Sequence, residues 1–102
     1  MISVFKIQQK YNDLYTQFRN YIWNYDIVEK FVDLELECYK ACPDVLKIRN
    51  TLTMLESKIH DILMEDEDFK KVFDDFKDTV QEDDTSYYGI HVVNEVIQDE
   101  NQ

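Results

Sequence analysis

Two pairs of residues have the spacing of a metal site in this chain. Cys38 and Cys42 lie four residues apart, as do Glu56 and His60, so each pair would share one face of a helix. A structural zinc ion needs four ligands, and the Glu-x-x-His motif of di-iron bundles is absent from the sequence. We therefore interpret both pairs as packing or surface residues, and we expect no metal and no cofactor.

Residues for catalysis are equally sparse. Gly89 is the single glycine, so the sequence lacks a glycine-rich loop that could hold a phosphate. The same lack of glycine argues against an EF-hand at the acidic run 65–68. None of the serines lies in the sequence context of a nucleophile elbow. These observations predict a protein that is not an enzyme.

Charge is the clearest functional signal in the sequence. Residues 1–60 carry eight acids and eight bases, whereas residues 61–102 carry fourteen acids and three lysines, which accounts for the net charge of −11. Apolar residues at helical spacing (Phe69, Phe73, Phe76) continue through this acidic region, so we expect an ordered helix there. The predicted partner-binding carboxylates on its exposed side are Asp61, Glu65, Asp68, Asp75, Asp78 and Glu82.

A rigid rod with regularly spaced carboxylates has a field similar to that of a nucleic-acid backbone, and it would attract a basic groove. The sequence therefore predicts a small acidic inhibitor that occludes the basic surface of a nuclease or another DNA- or RNA-binding protein. Direct binding of nucleic acid is not expected, because phosphates would be repelled. The competing interpretation is an acidic helix surface that only keeps the protein soluble.

In composition alone, the chain resembles small acidic phage proteins that block host defence nucleases, such as anti-CRISPR proteins, and acidic immunity proteins that neutralise basic toxins. Forty residues are of types with AT-rich codons (Phe, Tyr, Met, Ile, Asn, Lys), whereas five are of types with GC-rich codons (Gly, Ala, Arg, Pro). This ratio indicates the gene of a low-GC bacterium, phage or plasmid. Neither a signal peptide nor a run of about 18 apolar residues is recognisable. We expect a cytoplasmic protein of a bacterial host cell that does not contact membranes.

The fold prediction starts from a corner at residues 41–44. Pro43 ends a helix that precedes it, and Asp44 favours the start of the next one. Apolar residues at coiled-coil spacing flank this corner over residues 3–40 and 44–81. In the first arm they are Val4, Ile7, Tyr11, Leu14, Phe18, Tyr21, Tyr25, Val28, Val32 and Tyr39. In the second they are Val45, Ile48, Leu52, Leu55, Ile59, Ile62, Phe69, Phe73, Phe76 and Val80.

This pattern predicts an all-α protein, either a long antiparallel helical hairpin or a four-helix bundle, with a homodimer as a further alternative that completes the bundle. Residues 1–84 would form the helical domain, and residues 85–102 a short C-terminal segment that is packed on it or partly disordered. Breaks near Asp26 and Asp66 remain an alternative to continuous arms, although the unbroken spacing favours a first arm that is continuous or merely kinked. Trp23 is expected in the core or in a dimer seam. The alternative function is a helical adaptor, chaperone or toxin-immunity protein that acts through its hydrophobic seam.

Overall fold

A computed structural model describes the backbone of residues 2–91 and the side chains of residues 2–81. This part of the chain is all-helical, as the sequence predicted. Its helices are α1 (Val4–Phe18), α2 (Tyr25–Cys38), α3 (Val45–Lys58), α4 (His60–Glu65) and α5 (Glu67–His91). The predicted C-terminal segment therefore begins inside α5, and its residues 92–102 lie outside the described part. Within residues 2–91, every helix is too short or too polar to cross a lipid bilayer.

The first arm is not a continuous helix, so the favoured interpretation was wrong. Helix α1 ends at Phe18, whose carbonyl oxygen accepts a hydrogen bond of 2.8 Å from the indole N–H of Trp23. Asn24 then begins α2 as its N-cap, because its side chain accepts the backbone N–H of Ile27 at 3.0 Å. The two caps hold a six-residue connection, 19–24, that interrupts the arm.

This connection changes which face of α2 is buried. The inward residues of α2 are Ile27, Phe31, Leu34 and Cys38. The seam positions predicted on this helix and at its end, namely Tyr25, Val28, Val32 and Tyr39, are exposed instead. The apolar spacing in the sequence continues through residues 19–24, but the helix does not. A different face of α2 from the predicted one therefore points to the core.

The second arm keeps the predicted seam despite two breaks. Ile59 separates α3 from α4, and Asp66 separates α4 from α5, so each break removes only one residue from the helical path. Leu52, Leu55 and Phe73 are buried at the predicted positions. Asp66, the one polar residue in this seam, is the cap of α5: its carboxylate accepts the N–H of Phe69 at 3.1 Å and the hydroxyl of Tyr21 at 2.6 Å.

The helices pack around one hydrophobic core. Helix α1 contacts α2 and α5, and α3 also contacts both of them, whereas the described residues of α2 and α5 do not contact each other. An aromatic cluster joins the helices on one side, since the ring of Phe18 stacks on Phe31 at 3.7 Å and on Trp23 at 4.7 Å, and Trp23 meets Phe69 edge-on at 6.1 Å. Helices α2 and α5 thus lie on opposite sides of the molecule.

Candidate partner-binding surface

Helices α4 and α5 carry the six predicted carboxylates. Asp61 and Glu65 lie one turn apart on α4, and both are exposed. Asp68, Asp75 and Asp78 are exposed on α5. Glu82 belongs to α5, but its side chain lies outside the described residues. We refer to the five described carboxylates as the acidic face.

The buried side of α5 fixes the direction of the acidic residues on that helix. Phe69, Phe73 and Phe76 are fully buried at intervals of three and four residues, so the rotation of α5 about its axis is set by the core. Asp68 and Asp75 are two helical turns apart, and they therefore point to solvent on the same side of α5. The core thus determines the side of α5 from which these carboxylates project.

The predicted single rod is divided at Asp66. This residue has an extended backbone (φ −112°, ψ 102°), which ends α4 before α5 begins. Hydrogen bonds from Tyr21 and from the N–H of Phe69 lower the pKa of the Asp66 carboxyl, so it adds another negative charge at the junction. The acidic face thus consists of two short rows on two helices instead of one straight row.

The ion pairs among the described side chains do not include the carboxylates of the acidic face. Lys70 pairs with Asp74 at 2.8 Å, Lys77 with Glu56 at 2.9 Å, and Lys58 with Asp26. Among the residues with described side chains, no cation lies within ion-pair distance of the five carboxylates of the acidic face. Their charges are therefore available to a partner.

Two further charged residues of α5 were not part of the predicted surface. Lys71 lies three residues after Asp68 and four before Asp75, so it shares their side of the helix and lowers the local negative charge. Glu67 is exposed in the first turn of α5 and adds to the charge. Counting residues at helical spacing in the sequence would have identified both.

The two other candidate pairs, Cys38 with Cys42 and Glu56 with His60, each combine residues in different surroundings. Cys38 is buried, and this burial raises the pKa of its thiol to about 12, while Cys42 is exposed. The carboxylate of Glu56 is engaged by Lys77, and His60 is exposed. Among residues with described side chains, no group of three or more histidine, cysteine or acidic residues could hold a metal ion.

Sequence reasoning missed one buried charge, Glu37 at the corner between α2 and α3. Its side chain is 3% exposed, and it accepts the backbone N–H of Asp44 at 2.8 Å and the ammonium group of Lys40 at 3.0 Å. Lys47 lies 3.6 Å away. Glu37 therefore ties the end of α2 to the start of α3, a structural role that the residue type and spacing alone did not indicate.

Compared with protein families, curated proteins and solved structures, the chain matches none.

Proposed function

We propose that this protein is a non-enzymatic inhibitor that binds the basic, nucleic-acid-binding surface of another protein through its acidic face. The observation that carries the proposal is the set of five exposed carboxylates on α4 and α5 without a paired cation among the described side chains. A phage or mobile-element inhibitor of a nuclease, such as a CRISPR effector, fits this chemistry and would act in the cytoplasm of a bacterial host.

The proposed mechanism is occlusion. A groove that binds DNA or RNA presents lysine and arginine side chains to phosphates, and carboxylates on a rigid helix can take the place of those phosphates. Because charge attraction acts before contact, the main benefit is a faster encounter, with rate constants of about 10⁸ M⁻¹ s⁻¹ at low salt against about 10⁵–10⁶ for uncharged surfaces. No covalent step is involved.

For the fold that supports this surface, we propose a four-helix bundle of α1, α2, α3 and α5 within one chain. The pattern of contacts supports it, since α1 and α3 each contact both α2 and α5. In this arrangement α5 is backed by two helices, which keeps the acidic face in a fixed position.

The alternative of an adaptor, chaperone or immunity protein acting through the seam is less well supported for the second arm, whereas the first-arm seam positions Tyr25, Val28, Val32 and Tyr39 are exposed. The seam residues Leu52, Leu55 and Phe73 are buried inside this chain. A partner helix would have to displace one of the chain's own helices to reach them, at the cost of their buried apolar surface.

The test uses three baits in lysate from a low-GC bacterium: the wild type, the acidic-face variant and a matched control. The acidic-face variant reverses Asp68, Asp75 and Asp78 to lysine. The control reverses Asp13, Glu29 and Asp33, three exposed acids of α1 and α2, and so makes the same change of six charge units.

The proposal predicts that the wild type and the control capture the same basic protein and that the acidic-face variant does not. Capture should weaken as salt is raised, because exposed charges are screened over about 10 Å at 0.1 M salt. Circular dichroism should show that all three baits are equally helical, since surface substitutions change stability little. Equal capture by all three baits would reduce the acidic face to a solubilising surface.

A further inference from the structure

The exposed side of α2 carries a second apolar row, whose last residue, Tyr39, also packs edge-on against the buried ring of Tyr11 at 6.0 Å. Its residues lie at intervals of three and four, which places them along one line of the helix and its C-terminal end. We call this row the α2 stripe; it consists of Tyr25, Val28, Val32, Leu36 and Tyr39. Tyr25 is 77% exposed and Leu36 is 63% exposed. Because Leu34 on the opposite side of α2 is fully buried, the stripe points away from the core.

Helix α1 extends this apolar surface. The hydroxyl of Tyr39 donates a hydrogen bond of 3.0 Å to the side-chain oxygen of Asn12, which brings the end of the stripe against α1. Phe5 and Tyr15 lie seven residues before and three residues after Asn12, so they share its side of α1, and both are exposed. The ring of Tyr15 is also 6.3 Å from that of Phe31 on α2.

The size of this surface is that of a protein interface. Aromatic side chains measure about 150–250 Å² each, so at their exposed fractions the four aromatic residues Tyr25, Tyr39, Phe5 and Tyr15 present about 400–600 Å². The largest apolar patch of a typical monomer measures about 300–600 Å² in total. A standard interface buries about 800 Å² on each partner. Val28, Val32 and Leu36 add to the aromatic area, so the patch is comparable in size to one side of a standard interface.

The charge distribution favours a second copy of the chain as the partner. The stripe belongs to residues 1–60, whose formal charges cancel, while the excess charge of −11 lies in residues 61–102. Since α2 and α5 lie on opposite sides of the molecule, two copies can join through α2 with their acidic faces pointing outward. A contact through α5 would instead bring like charges together.

We propose that the α2 stripe, extended by Phe5 and Tyr15, is the interface of a homodimer with two-fold symmetry. This interface is distinct from the acidic face and does not depend on the proposed inhibitor function. The dimer would present two acidic faces on opposite sides, so that one particle could occupy two basic surfaces.

Light scattering after size-exclusion chromatography tests the proposal on the full chain, over micromolar to millimolar concentrations. The wild type should have twice the chain mass of 12.4 kDa, and it should keep that mass at high salt, which screens repulsion between the two copies. Leu36→Glu should raise the dissociation constant about a hundredfold, because one unpaired charge is buried in the interface by each copy.

Met64→Glu is the matched control, since Met64 is 65% exposed but lies on α4, which has no contact with α2 among the described residues. This variant should remain dimeric, and both variants should keep the wild-type circular dichroism. If Leu36→Glu were misfolded, Val32→Glu at the centre of the stripe would test in its place whether the stripe holds the dimer together. A wild type that is monomeric at every concentration would overturn the proposal and leave the stripe to a different protein. A dimer that survives both stripe substitutions would overturn it as well.

Discussion

Glu37 should contribute more to stability than any exposed acid of this chain. Replacing it with alanine leaves the backbone N–H of Asp44 without its acceptor and removes the partner of Lys40 and Lys47. A hydrogen bond to a buried carboxylate contributes about 1.5–3 kcal/mol, and the two half-exposed lysine pairs add less than about 1 kcal/mol. Glu37→Ala should therefore lower the free energy of unfolding by about 2–3 kcal/mol, or the Tm by about 10–20 °C for a domain of this size.

Urea unfolding followed by circular dichroism measures this loss, with Glu29→Ala as the control. Glu29 is an exposed acid of the same helix, and its replacement should change stability by less than about 0.5 kcal/mol. Equal stability of the two variants would refute the assignment of Glu37 as the tie between α2 and α3.

The stability that Glu37 provides should also depend on pH. The N–H of Asp44, followed by the ammonium groups of Lys40 and Lys47, holds the pKa of the Glu37 carboxyl below its usual value of 4.5. A carboxyl group whose pKa is lowered by folding stabilises the protein fully above about pH 4.5, where it is ionised in both states. This stabilisation is lost as the pH falls through the pKa of the group in the folded protein. The difference between wild type and Glu37→Ala should thus be full at pH 7 and shrink when unfolding is repeated near pH 3.

Three further outcomes are expected. Circular dichroism should show a mostly helical protein, and a dominant β signal would contradict the fold. Leu55→Asp should largely unfold the chain in a thermal melt because Leu55 is fully buried, whereas Met54→Asp, at a neighbouring position that is 44% exposed, should melt close to wild type. A thiol-specific reagent should modify Cys42 quickly in the native protein and Cys38 only after denaturation, because Cys38 is buried and its thiol pKa is raised to about 12; equal rates would contradict its burial.

The sequence predicted the second arm better than the first for a physical reason. Breaks at Ile59 and Asp66 each remove a single residue from the helical path, so apolar spacing and structure stay in phase across α3, α4 and α5. The connection 19–24 is six residues long and is not helical, so the buried face of α2 does not continue the heptad positions of α1. The spacing still continued into α2 because this helix has two apolar rows, one buried and one exposed at Tyr25, Val28 and Val32.

The acidic face was partly readable from the sequence. Exposure of Asp68, Asp75 and Asp78 follows from the buried phenylalanines of α5, whose spacing leaves those positions on the outer side. The sequence indicated a helix break at Asp66 only as an alternative to a continuous second arm. An acidic residue in an apolar seam can cap a new helix, or it can be an exposed residue within one continuous helix. Its hydrogen bond to Tyr21, 45 residues away, is a tertiary contact that no local pattern contains.

Competition with nucleic acid tests the central claim most directly. The captured basic protein is bound to labelled DNA or RNA, and unlabelled inhibitor is added at low salt. The wild type should displace the nucleic acid, and so should the control with Asp13, Glu29 and Asp33 reversed, while the variant with reversed Asp68, Asp75 and Asp78 should not. Displacement by the acidic-face variant as efficiently as by the wild type, or binding of the wild type without any displacement, would contradict the claim that the acidic face occupies a nucleic-acid site.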